Sequence, residues 1–223
     1  MKIRFILLIF AAAVAFTSCD KSAPASAKSG EAGTEAKAAA TAKTFTVDPA
    51  ATKLAWIGSK ITGDQHNGTI NVSNGTMKLE GDKLTAGEFT IDMTSIKNLD
   101  IPAEEEGNGK LIGHLKSPDF FGVEAHPTAS FVITGVEAVE GEGPITHNIK
   151  GNLTIKGITK EITIPTAVTM GGGSMNAEAS FSFDRAQFDV RYGSSSFFED
   201  LGDKIINDEI KMELVLVANA DAV

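Results

Sequence analysis

Cysteine occurs once in this chain, at position 19, and that scarcity excludes both an intrachain disulfide framework and any zinc site built on paired thiolates. Positive charge is also short, with 20 Lys and Arg against 29 Asp and Glu and a formal net charge of −9. Such a balance argues against a nucleic-acid partner and against a basic patch that clings to anionic lipid. After Arg4 the only arginines are Arg185 and Arg191. The four histidines form no His-x-x-x-His pair, so no metal site is expected. Asp100, Glu104, Glu105 and Glu106 lack the spacing of a calcium loop and read as a solvated acidic loop. Ser194-Ser-Ser196 lacks the Gly-x-Ser-x-Gly elbow, and Gly171-Gly-Gly173 has no Lys-Ser or Lys-Thr after it to make a phosphate cradle. No catalytic residue and no cofactor is therefore expected.

What the chain does have begins with Lys2 and Arg4 ahead of an apolar run from Phe5 to Phe16, then Thr17, Ser18 and Cys19. This reads as an export signal over residues 1–18, too short to span a bilayer, which takes about 20 residues. A lone cysteine behind it suits a lipoprotein signal, with Cys19 as the lipidated first residue and membrane contact through that N-terminal anchor. The expected location is the cell envelope or periplasm. Residues 19–43 carry almost only Ala, Lys, Ser, Thr, Glu and Gly, with no aromatic or branched aliphatic side chain. They read as a disordered tether, because they bury too little apolar surface to offset ordering entropy. Residues 44–223 suit one domain with a real core.

That domain alternates apolar and polar residues almost throughout. Phe89, Ile91 and Met93 share one face, as do Ala129, Phe131 and Ile133, then Ala179, Phe181 and Phe183, then Met212, Leu214 and Leu216. Leu153 and Ile155, then Ile162 and Ile164, repeat the pattern on either side of Lys156-Gly157, which reads as a hairpin turn. Asn74-Gly75, Gly81-Asp82 and the Gly171–Gly173 run are further expected reversals. Lys110–Lys116 is expected to form a short helix, and 194–206 a loop or helical excursion. Antiparallel strands with one apolar face each must close into a barrel or pack as a sandwich, and periodicity alone leaves both open.

His66-Asn-Gly-Thr-Ile70, Phe89–Ile96, His114-Leu-Lys-Ser-Pro-Asp-Phe-Phe121, His126-Pro-Thr-Ala-Ser-Phe131, Phe183-Asp-Arg-Ala-Gln-Phe188 and Arg191-Tyr-Gly-Ser194 follow one another across the domain. In order and spacing they resemble the YceI-like family of lipid- and polyisoprenoid-binding proteins. The resemblance implies an all-β fold, a lipocalin-like, extended eight-stranded antiparallel barrel that holds an isoprenoid or other long-chain lipid without a catalytic step. The chain departs from the family pattern at Trp56-Ile-Gly-Ser-Lys60 and in the acidic stretch Glu104–Glu106. Within such a barrel the inward-facing candidates for ligand contact are Trp56, Phe89, Ile91, Phe131, Ile133, Leu153, Ile155, Phe181, Phe183, Leu214 and Leu216. The same side chains would simply be packed core if the barrel were filled. His66 and His114 are candidates for a ligand head group. Arg185 and Arg191 are candidates for an anionic one, with a salt bridge from Arg185 to Asp184 or Asp189 as the structural alternative. The rival function is a filled barrel or sandwich acting as a scaffold through protein contacts, with Phe197 and Phe198 on its surface. Whether two barrels pair as a homodimer is left open.

Overall fold

The computed structural model describes residues 24–221. Cys19 and the expected export signal lie outside the described residues.

Alternation at period two produces nine principal strands: β3 (Lys43–Val47), β4 (Lys53–Ser59), β5 (Gln65–Glu80), β6 (Lys83–Asn98), β7 (Thr128–Ala138), β8 (His147–Ile155), β9 (Ile158–Gly171), β10 (Ser174–Asp184) and β11 (Glu209–Ala220). Two short strands precede them, β1 (Ala25–Ser26) and β2 (Ser29–Gly30). β3 and β4 lie end to end between β11 and β5, so they form one stave interrupted at 48–52. With that stave counted once, the sheet closes through β9 and β10 into an eight-stranded antiparallel barrel. Closure selects the barrel over the sandwich.

Turn chemistry holds where φ is positive. Gly81 (φ 61°), Lys156 and Gly157 (51° and 75°), and Gly172 and Gly173 (61° and 83°) reverse the chain between neighbouring strands. Asn74-Gly75 does not. β5 runs straight through it, with register shifts against β6 nearby. Gly75 serves a close approach instead: a Cβ there would lie 2.7 Å from the Phe89 ring.

The helix α1 (Glu106–Lys116) starts four residues earlier than the sequence suggests and takes Glu106 into its first turn, where Lys110 pairs with it at 2.7 Å. Three glycines weaken it intrinsically. It is held by Asn108, buried and donating to the Ile101 carbonyl at 2.6 Å, and by Leu111 and Leu115, which face the barrel interior.

The larger departure concerns residues 24–42. Composition predicts an unstructured tether, yet these residues form a strap on the barrel. β9 and β10 pair only from Ser174↔Gly171 to Glu178↔Ala167, and then diverge. β1 runs parallel to β10 in that gap (Ala25↔Phe181), and β2 runs antiparallel to β9 (Ser29↔Ile162). Ala27 N–H donates to the Ser182 carbonyl at 2.8 Å, and its methyl group is buried in the core. Further on, the Asn152 amide exchanges two hydrogen bonds with the Gly33 backbone, at 2.8 and 2.9 Å. Ala36 N–H then reaches the Ile133 carbonyl at 2.9 Å, beside a register shift in β7. The compositional argument weighs side-chain burial. Here the backbone supplies the contacts, and small side chains let it lie close to the wall.

Candidate functional site

A cavity of about 270 Å³ runs inside the barrel, near the lower end of the ~300–1,000 Å³ common for small-molecule pockets. All eleven residues expected to face inward line it: Trp56 from β4, Phe89 and Ile91 from β6, Phe131 and Ile133 from β7, Leu153 and Ile155 from β8, Phe181 and Phe183 from β10, and Leu214 and Leu216 from β11. β5 and β9 add Ile70, Val72, Ile162 and Ile164, and α1 with the turn after it adds Leu111, Leu115, Phe120 and Phe121. The helical contribution was not foreseen, since two leucines four residues apart among glycines give little periodic signal.

The aromatic walls rest on glycines of neighbouring strands. A Cβ on Gly68 would lie 2.6 Å from the Trp56 indole, and one on Gly151 would lie 2.2 Å from the Phe131 ring. With the Phe89 ring on Gly75, three large rings thus lie on bare backbone. Glycine inside an alternating strand was the available sequence signal for this.

Polar groups gather at one end, where Ser59, Lys60, Asp64 and His66 line the cavity around the β4–β5 turn. His66 Nδ1 lies 2.8 Å from the Asp100 carboxylate, which also accepts from the Asn67 N–H at 2.7 Å and from the Asn98 amide. Burial works to raise the Asp100 pKa, but the hydrogen bonds from Asn67, His66 and Asn98 outweigh it and hold the carboxyl below its ordinary value. Asn98 Oδ1 in turn accepts from the Ile101 N–H at 3.0 Å, which ties the mouth to the approach of α1.

The other head-group candidates are placed differently. Arg185 lines the cavity yet is fully buried, and its guanidinium donates to the carbonyls of Asn207, Val190, Tyr192 and Ile206 at 2.9–3.3 Å. Asp208 Oδ1 stands 3.2 Å from its Nη2, an ion pair without hydrogen-bond alignment. Burial pushes the guanidinium below its ordinary pKa while Asp208 and then Asp184 act against that. The partner is therefore Asp208 rather than Asp184 or Asp189. Asp184 instead accepts from the Ala186 N–H to cap the turn Arg185–Phe188. Arg191 pairs with Asp189 and lies over the Phe197 ring on the outer surface. His114 is wedged edge-on between Phe120 and Tyr192, with ring centroids at 5.0 and 4.3 Å, and does not line the cavity. Of the four, His66 alone stands at the mouth with its side chain half-exposed.

Trp56 Nε1 is buried without a hydrogen-bond partner among the described residues. No group of three or more His, Cys, Asp or Glu among the described residues is placed to hold a metal ion, and no helix among them is long and apolar enough to cross a membrane.

A closed antiparallel barrel around an apolar cavity with one polar mouth defines the structural class. The model of the YceI-like domain matches residues 45–218, and the chain belongs to that family. A UPF0312 protein of Azotobacter vinelandii is 31% identical over 97 residues, which cover 44% of this chain and 46% of that protein. The chain thus spans about half the length of the curated relatives it matches. The crystal structure of BcnA from Burkholderia cenocepacia superposes with a TM-score of 0.61 at 25% identity, covering 78% of this chain and 99% of that one. A domain from Saccharophagus degradans, described as a polyisoprenoid binding domain implicated in plant cell wall breakdown, superposes with a TM-score of 0.57 at 15% identity over 79% of this chain and 98% of that one. That likeness shows the fold.

Proposed function

We propose that this protein binds, without catalysis, a polyisoprenoid or similar long-chain amphiphile inside its barrel, for carriage, storage or sensing in the cell envelope. The observation that carries this reading is the apolar cavity inside the barrel, with Ser59, Lys60, Asp64 and His66 gathered at one end. The chain lies in the tunnel and the polar end faces Lys60 and His66. At ~25 cal/mol per Å² of apolar surface removed from water, a few hundred Å² of chain gives several kcal/mol before association costs. The family membership and the polyisoprenoid-binding description of the Saccharophagus degradans neighbour point the same way. The Lys2–Cys19 segment supports export and anchoring through a lipidated Cys19.

Native mass spectrometry of the protein purified from its own host, with extraction of any released molecule, tests the reading. A stoichiometric isoprenoid lipid is the expected result. A bare mass that persists after incubation with isoprenoid quinones and polyprenyl phosphates would instead make the barrel a scaffold.

A further inference from the structure

Away from the exposed mouth, the polar side chains that line the cavity are otherwise committed. Arg185 spends its donors on four carbonyls, Thr166 Oγ1 donates to the Ile164 carbonyl at 3.0 Å, and Ser59 Oγ accepts from the Asn207 amide at 2.9 Å. The indole N–H of Trp56 is the exception, buried and unpaired among the described residues. A buried donor left unmade forfeits its hydration without recompense, and native proteins rarely tolerate that without a reason.

The surroundings of Trp56 say what would complete it. Trp56 pairs across β4 with Gly68 of β5 and Met212 of β11, and the next pair toward the mouth on the same face is Gly58 with His66. Gly58 leaves open space one pair further along that face: a Cβ there would meet only Ile210 Cδ1, at 3.8 Å. The ring is seated on Gly68, where a Cβ would come within 2.6–2.7 Å of its Cζ2 and Cε2. Trp56 thus lines the cavity one residue pair below the polar mouth, with its N–H buried and unpaired.

We infer that Trp56 reads the junction between chain and head group of the ligand, donating its indole hydrogen bond to the first oxygen at the head of the chain. Indole N–H donates and never accepts, so the site selects a ligand with an acceptor oxygen there, whether hydroxyl, carbonyl or phosphoester, over a plain hydrocarbon. Charge on the head group falls further out, to Lys60 and His66. This rests on the lipid-binding reading and adds to it the chemical class of the junction.

Trp56 is the only tryptophan in the chain, so the single indole ¹H–¹⁵N resonance reports the bond directly. The protein is titrated with geranylgeraniol, with geranylgeranyl phosphate and with squalene as the acceptor-free chain. The expected result is a downfield shift of the indole proton with both oxygen-bearing ligands and none with squalene. Replacing Trp56→Phe should weaken the two oxygen-bearing ligands about tenfold and change squalene by less than about twofold. If that variant misfolds, benzothienylalanine at position 56 keeps the ring shape and removes the N–H. Equal weakening of all three ligands, or an indole resonance that moves no differently with squalene, overturns the inference and leaves lipid binding intact. Failure of all three to bind overturns both.

Discussion

At the scale of single residues, the same side chain can hold the fold or serve the ligand, and its hydrogen bonds decide which. Arg185 belongs to the fold, since its guanidinium gathers four backbone carbonyls and Asp208 in a buried knot. Arg185→Leu should cost about 3–5 kcal/mol, because Asp208 and the carbonyls are left without their cation. Urea unfolding measures this, and a loss below about 1 kcal/mol would remove Arg185 from the structural role. Gly68→Ala should destabilise strongly for a different reason: its Cβ would fall 1.8 Å from the Lys97 carbonyl oxygen as well as against the indole. Asp100 contributes through pH. Its folded pKa is depressed below the ordinary 3.8, so its contribution is complete above the unfolded value and is lost as the pH falls through the folded one. Between about pH 5 and about pH 2 the wild type should therefore lose more stability than Asp100→Asn. Parallel acid limbs for the two proteins would contradict it. The sequence offered Arg185 and Asp189 as neighbours in the chain, but Asp208 becomes the partner only once β11 closes against β10.

At the scale of elements, the strands were legible because each shows one apolar face at period two, and that is what the closed barrel requires. All eleven residues chosen on this ground line the cavity. Asn74-Gly75 misled because a dipeptide common in turns also fits mid-strand when a ring must lie on the glycine. The start of α1 was hidden by its acidic first turn, which reads as loop until Asn108 and the leucines dock. The strap was illegible for a deeper reason: alanine, serine and glycine bury little, and nothing local announces that β9 and β10 part below Glu178. Deleting residues 24–36 should leave the barrel folded but speed amide exchange at Ile162 and Ala27's acceptor strand around Ser182, with little change in β5 and β6. Uniform acceleration would show the strap to be integral to global stability instead.

At the scale of the molecule, the interior and the outer surface should answer differently to charge. Phe131→Asp and Leu214→Asp place a carboxylate against the apolar cavity, an uncompensated cost of several kcal/mol. Both should abolish ligand retention and lower the unfolding midpoint, whereas Phe198→Asp, on a half-exposed surface ring, should spare both. Equal lipid loss from all three, read by native mass spectrometry, would contradict the interior assignment. The strap has one more consequence at this scale, in the order of synthesis. Ala25–Gly30 leave the ribosome long before Ile162 and Phe181, the residues beside which they finally lie. Until they dock, β9 and β10 present unpaired edges, the kind of edge that invites pairing with another chain. The strap can thus dock only once β9 and β10 have been made, and it covers the seam left where those two strands part.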